Sequence, residues 1–104
     1  MAKRLPESLV ERVRTIPLQR ALEGLGFFVS RDGAFQPRKN ARTEAVFVTD
    51  SAGVHELILT GEKWFDKREN VGGGGAIDLV MHLKGVSFSK AVRLLAKEVL
   101  GEAV

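Results

Sequence analysis

The most informative absence from the sequence is cysteine. Among 104 residues there is no cysteine, and His55 and His82 are the only histidines. The chain therefore forms no disulfide, offers no thiol nucleophile and contains no cysteine-ligated metal site. Two histidines are too few to close a zinc site without help from carboxylates. Disulfide scaffolds, thiol enzymes and cysteine-based zinc proteins are all excluded.

Long apolar segments and catalytic motifs are also missing. No run of about 18 apolar residues occurs, so we expect no transmembrane helix and no membrane partner. The first residues, Met1–Glu7, carry positive charge without the apolar stretch of a secretory signal, which favours a cytoplasmic location. We find no nucleophile–base set, no pair of acidic metal ligands and no nucleotide-binding loop. These absences predict a non-catalytic module.

What is present is typical of one compact globular domain. Hydrophobic residues make up 44% and charged residues 28% of the sequence, an ordinary balance for such a domain. With no repeat and no linker, we expect residues 1–104 to form a single domain. The formal net charge of +3 permits an anionic partner without requiring one.

Hydrophobic periodicity predicts two helices, a β-rich middle and two further helices. Pro17 fits the first turn of the second helix, Gly85 ends the third, and Ser87 is a good N-cap for the fourth. The predicted fold class is α+β, with a small antiparallel β-sheet flanked by helices. The predicted helices run over residues 5–14, from near Thr15 to Gly26, over 76–84 and from Ser87 to Gly101, and the predicted strands over 27–29, 45–49, 54–60 and 63–66.

Three stretches resemble the N-terminal zinc-ribbon domain of bacterial DNA primases. Arg4-Leu5-Pro6 is similar to the R-I-P opening of that family. Gly73-Gly74-Gly75-Ala76-Ile77-Asp78 is similar to its G-G-x-A-I-D turn and helix start. The segment from Phe88 to Ala96 is similar to its final helix, F-x-E-A-V-x-x-L-A. The resemblance covers almost the whole chain, is strongest over Gly72–Ala96, and implies a degenerate zinc ribbon that binds nucleic acid.

The chain departs from the family at the metal ligands. Alignment with the family pattern places the ligand positions at Gln36, Lys39, Lys67 and Asn70. None of these side chains can reproduce the zinc site, and the two lysines would repel a cation. We therefore expect the folded protein to contain no zinc and no other cofactor. Similar cysteine-free versions belong to plasmid and integrative-element proteins, often in front of a Toprim-like primase module.

Without zinc, hydrophobic packing must hold the sheet together. We expect strand side chains to pack against the apolar faces of the last two helices. The predicted strand contribution is Phe35, Val46, Phe47, Leu57, Ile58 and Leu59, and the predicted helical contribution is Ile77, Val80, Met81, Phe88, Val92 and Leu95.

Basic residues accompany two aromatic residues near the third predicted β segment. Aromatic rings beside lysines on a sheet can stack unpaired bases while the cations hold phosphates. Trp64 and Phe65 are consecutive in a strand and must point to opposite faces, so one of them can belong to the core. The predicted nucleic-acid contacts are Arg38, Lys39, Arg42, Lys63, Trp64, Lys67 and Arg68, with Trp64 as the stacking ring.

The remaining polar features favour structural roles. The glycines at 72–75 can either cradle a phosphate or form a crowded turn that brings a helix close to the sheet, and we favour the turn. Asp78 lies in the first turn of a predicted helix, where a carboxylate is favourable. His82 shares the helix face of Asp78 but lacks further metal ligands, and we expect His55 at the surface.

The leading hypothesis is a module that binds single-stranded DNA in priming, replication or transfer of a mobile genetic element. Its partners would be single-stranded DNA and a primase, Toprim or other replication protein. The alternative is a protein-interaction adaptor that docks on a primase or relaxase without binding DNA. Salt-dependent affinity for an oligonucleotide separates the two hypotheses.

Overall fold

The computed structural model describes residues 5–31, 33, 43–50 and 53–102. The chain has an α+β fold in which a five-stranded antiparallel sheet lies between two N-terminal and two C-terminal helices in sequence. No helix in these ranges is long and apolar enough to span a membrane. The helices are α1 Glu7–Arg14, α2 Leu18–Gly24, α3 Ala76–Lys84 and α4 Phe88–Glu98, and the strands are β1 Phe28–Arg31, β2 Thr43–Asp50, β3 Gly53–Thr60, β4 Lys63–Asp66 and β5 Val71–Gly74.

The helix boundaries follow local backbone chemistry. Pro17 is the N-cap of α2 in extended conformation, so that helix begins slightly later than predicted. Gly85 ends α3 in the left-handed region (φ 64°, ψ 38°), as glycine does at low cost. The Ser87 hydroxyl accepts a hydrogen bond from the Lys90 N–H at 3.3 Å and caps α4. The predicted stop of α3 and N-cap of α4 are confirmed.

The sheet is a meander in which each strand pairs with the next, in the order β1-β2-β3-β4-β5. Antiparallel pairing and the alternation of side chains define two faces. The inner face carries Val46, Val48, Leu57, Leu59 and Trp64, which join buried side chains of all four helices in one hydrophobic core. The outer face, on the opposite side, carries Phe28, Phe47, Val54, Ile58, Lys63 and Phe65.

The predicted core is confirmed in part. Val46, Leu57 and Leu59 are buried, as are Ile77, Val80, Val92 and Leu95, while Met81 packs against the core from a half-buried position. Phe47 and Ile58 were wrongly expected to meet the helices, because the strand alternation places them on the outer face. Phe35 lies outside the described residues.

The expectation for Phe88 is also wrong. Its side chain is 41% exposed, whereas Val92 and Leu95 on the same helix are fully buried. Phe88 is the first residue of α4, at the rim of the core, and borders a surface cleft shared with Met81 and Arg14. The helical spacing was correct, but the core reaches only Ala91 in the first turn of the helix and leaves Phe88 at its edge.

The glycine run forms a strand where the sequence predicted a turn. Val71–Gly74 is the edge strand β5, with Trp64 opposite Gly73. A Cβ on Gly73 would lie 1.8 Å from Asp78 Oδ2 and 2.8 Å from Trp64 Cζ2. The predicted close approach of helix and sheet is therefore present, and Gly73 is the residue that permits it.

Candidate nucleic-acid interface and an adjacent buried carboxylate

The outer face presents aromatic side chains that no described helix covers. Phe28 is 71% exposed and Phe65 39% exposed, and Phe47 is half-buried between their strands. By strand register, Phe28 is diagonal to Phe47, Phe47 is diagonal to Ile58, and Ile58 is directly opposite Phe65. Diagonal neighbours on a sheet are close enough for such side chains to touch. The four residues form an apolar stripe, which we call the aromatic stripe, across β1 to β4.

Three of the predicted cationic residues lie beside this stripe. Lys63 is on the outer face at the start of β4, and Lys67 and Arg68 follow the end of the same strand. Lys67 Nζ and Arg68 Nε each lie 3.9 Å from a carboxylate oxygen of Glu56. These are loose ion pairs between exposed side chains, worth little in water. The cations therefore remain available to exchange Glu56 for another anion.

Trp64 occupies a different position from the one predicted for a base-stacking residue. Its side chain is 3% exposed and belongs to the inner-face core. The indole stacks on the His82 ring, with 5.0 Å between centroids and 28° between planes. Of the two consecutive aromatic residues, Phe65 is the exposed one and Trp64 the buried one. The prediction that Trp64 stacks on bases is corrected accordingly.

A fully buried carboxylate, Asp66, lies at the end of β4 beneath the basic residues. Asp66 Oδ2 is 3.1 Å from His55 Nδ1 and 2.9 Å from His82 Nε2. Asp66 Oδ1 accepts hydrogen bonds from the backbone N–H groups of Arg68 and Glu69, at 3.0 and 3.2 Å. An ionised carboxylate only accepts hydrogen bonds, so both imidazole nitrogens must be donors. Asp66 therefore fixes the tautomers of both histidines when they are neutral.

These hydrogen bonds determine the charge of Asp66. Burial alone would raise its pKa, because it disfavours the anion. Hydrogen bonds from His82, from the Glu69 N–H and from His55 outweigh burial and hold the pKa of Asp66 below its usual 3.8. Asp66 is an anion at neutral pH, and its buried charge is matched by four donors.

Asp66 connects the core to the basic turn. Its side chain joins β4 to β3 through His55 and to α3 through His82. It also holds the turn at residues 67–70 against the end of β4. Asn70 completes this turn at φ 56°, in the left-handed region that asparagine tolerates. The arrangement fixes the backbone that carries Lys67 and Arg68.

The sequence did not predict this cluster, and His55 was expected at the surface. That expectation is wrong, since His55 lies half-buried on the inner face. One signal was present: Leu57 and Leu59 were predicted to be buried, and the strand alternation puts His55 on their face. The partnership with Asp66 depends on the register of β3 and β4 and on the position of α3, none of which the local sequence specifies.

The other polar residues of interest lie apart from this cluster. The Asp78 carboxylate accepts a hydrogen bond from the Gly74 N–H at 3.1 Å, and its place in the first turn of α3 is confirmed. Within the described ranges, no group of three or more His, Cys, Asp or Glu side chains is placed to hold a metal ion. The remaining predicted cations lie outside the described residues, namely Arg38, Lys39 and Arg42. The same holds for Gln36, which with Lys39 was one of the presumed ligand positions.

Fold and surface together define a small α+β domain with helices packed on the inner face of its sheet and an aromatic, partly basic outer face. No family model, no curated protein and no solved structure matches this chain.

Proposed function

We propose that this protein is a nucleic-acid-binding module that prefers single-stranded DNA and contacts it through the outer face of the sheet. The observation that carries the proposal is the aromatic stripe of Phe28, Phe47, Ile58 and Phe65, with Phe28 and Phe65 substantially exposed. Sheet aromatics commonly stack unpaired bases in modules that bind single strands. An exposed aromatic sheet face is a costly surface for a protein to leave without a partner.

The positions of the cations support the same proposal. Lys63 stands before Phe65 on β4, and Lys67 and Arg68 follow it after the strand ends. Strand residues rise about 3.3 Å each, so the two cationic groups are roughly 13 Å apart along the chain. A single strand crossing the sheet could stack on Phe65 and place phosphates on either side. Arg38, Lys39 and Arg42 remain proposed additional phosphate contacts.

The resemblance to primase zinc-ribbon domains extends the proposal to a biological role. A degenerate, zinc-free ribbon would act in priming, replication or transfer of a mobile genetic element in the cytoplasm. In that family a zinc ion holds the strands of the ribbon together. Here the core packing of Trp64 and the hydrogen bonds of Asp66 would take its place. The expected protein partner is a primase, Toprim or other replication protein.

Substitution of Phe65 tests the proposed interface. Phe65→Ala should weaken binding of a fluorescent single-stranded oligonucleotide by about 1–3 kcal/mol, with little change in salt dependence, because stacking releases no counterions. Val71→Ala is the matched control, since Val71 is similarly exposed (42%) but lies on β5 away from the outer face. Equal affinities of the two variants would contradict the proposed stacking role.

One observation favours the alternative function. Glu56 lies within 3.9 Å of both Lys67 and Arg68, which reduces the positive potential of the outer face. An apolar stripe with balanced charges also suits docking on another protein, such as a primase or relaxase. Glu56→Gln separates the two functions. If the cations contact phosphate, the variant should bind an oligonucleotide more tightly than wild type. If the protein is an adaptor, the variant should bind no oligonucleotide, as wild type does not.

A further inference from the structure

A second concave surface adjoins the outer face at the start of β4. It is a cleft of about 480 Å³ bordered by α1, the β3–β4 turn, the end of β5, α3 and α4. Phe88 and Met81 supply apolar walls, while Arg14 and Lys63 supply two cations. Small-molecule sites typically occupy about 300–1,000 Å³ and combine apolar walls with a few polar groups. The cleft has the size and lining to hold one nucleotide.

Lys63 connects the cleft to the aromatic stripe. Lys63 is the first residue of β4 and lies on the outer face, two residues before Phe65. It also lines the cleft. Its strand neighbour on β5 is Gly74, which has no side chain to separate the two surfaces. The outer face and the cleft therefore meet at Lys63 and Gly74.

The charges of the cleft favour a nucleotide over a bare anion. Glu62 and Asp78 line it together with Arg14 and Lys63, so the formal charges cancel. Free phosphate would gain little net attraction in such a site. A nucleotide offers in addition a base that can stack on Phe88, whose ring is 41% exposed although it belongs to a helix with a buried face.

The geometry points to a second nucleotide subsite in this cleft, in which Phe88 stacks a base and Arg14 and Lys63 contact its phosphodiester. This inference rests on the proposed function, since the occupant is the continuation of the single strand bound on the outer face. The subsite extends the interface from the sheet to α1 and α4. It also gives the exposed ring of Phe88 a role.

Oligonucleotides of two lengths test the subsite. A short one of about three nucleotides can be held by the aromatic stripe alone, whereas one of about eight reaches the cleft. Phe88→Ala should weaken binding of the longer oligonucleotide about 5- to 150-fold and leave the short one unchanged. Arg14→Gln should reduce the salt slope for the longer oligonucleotide by about 0.7. Phe65→Ala, the matched aromatic control, should weaken both lengths.

The outcomes separate the subsite from the proposed function. If wild-type protein binds both lengths and Phe88→Ala and Arg14→Gln change neither, the subsite is overturned while the proposed function stands. If wild-type protein binds no oligonucleotide at low salt, the proposed function and the subsite both fail. Thermal unfolding of each variant, with a midpoint expected to stay above the temperature of the binding assay, shows that lost affinity is not lost folding.

Discussion

At the scale of single residues, the Asp66 carboxylate links β3, β4, α3 and the β4–β5 turn. Its carboxylate is fully buried and accepts hydrogen bonds from His55, His82 and two backbone N–H groups of the following turn. Removing an acceptor from several partly buried donors costs more than removing a single exposed hydrogen bond. We therefore assign to Asp66 the role of holding the β4–β5 turn and the cations that it carries.

Truncation of Asp66 should destabilise the protein. Asp66→Ala should lower the free energy of unfolding in urea at pH 7 by about 1–3 kcal/mol, since four donors lose their acceptor. Asp66→Asn should cost less, because an amide oxygen can accept the two backbone bonds and its NH₂ can donate to the other histidine tautomers. A loss below about 0.5 kcal/mol for the alanine variant would show that the cluster contributes no stability.

The lowered pKa of Asp66 predicts a pH dependence of defined sign. Its folded-state pKa lies below the usual 3.8, so the unfolded chain binds more protons in that range. The stabilisation is present above about pH 4–5 and is lost as the pH falls through the folded-state pKa. Urea titrations from about pH 6 to pH 2 should show a steeper loss for wild type than for Asp66→Asn. Parallel curves would mean that Asp66 titrates alike in both states.

At the scale of secondary structure, the sequence specified the helices better than the sheet. The stop of α3 at Gly85 and the cap of α4 at Ser87 are local signals and were predictable. Strand β5 was not predictable, because three of its four residues are glycines and only Val71 is of the β-branched type that is typical of strands. It forms because Gly73 fits against Trp64 and Asp78, and that fit exists only in the assembled fold.

Adjacent glycines in β5 should respond differently to alanine. Gly73→Ala should destabilise the protein by about 1–3 kcal/mol, because its Cβ would overlap Asp78 and the buried ring of Trp64. Gly74→Ala should stay within about 1 kcal/mol of wild type, since the nearest atom to its Cβ, Glu62 O, is 3.9 Å away. Thermal unfolding of both variants checks the contrast, and equal losses would contradict the packing of α3 on β5.

Two positions on α4 separate the core from its rim. Leu95 is fully buried, and Leu95→Ala should cost about 2–5 kcal/mol. Phe88→Ala should cost about 1–2 kcal/mol, since the ring is 41% exposed and loses less apolar burial. Urea denaturation measures both. A loss of 3 kcal/mol or more for Phe88→Ala would restore the interpretation of Phe88 as a core residue, which the helical spacing alone suggested.

At the scale of the whole molecule, the described helices pack on one face of the sheet, and none of them covers the other face, where Phe28 and Phe65 are exposed. The α+β class and the order of the four helices and the first four strands were predictable from periodicity. The sequence did not predict which face of each strand meets the helices, because apolar residues occupy both faces of β2 to β4. The same ambiguity led the sequence interpretation to assign base stacking to Trp64 when the exposed ring is Phe65.

Phosphate contacts by the outer face predict a specific salt dependence. Changing Lys63, Lys67 and Arg68 together to alanine should weaken oligonucleotide binding and reduce the slope of log affinity against log salt by about two units. Each phosphate contact to a single strand contributes about 0.7 to that slope. An unchanged slope, with the variant shown to be folded, would mean that these residues do not contact phosphate.

Above all, we propose that the outer face of the sheet binds single-stranded DNA. The most direct measurement is fluorescence anisotropy of a labelled single-stranded oligonucleotide titrated with wild-type protein at low salt, where the electrostatic contribution is largest, and then at increasing salt. We predict saturable binding at low salt that weakens steadily as salt rises. An anisotropy that stays at the value of the free oligonucleotide at low salt would contradict the claim and favour the protein-interaction adaptor.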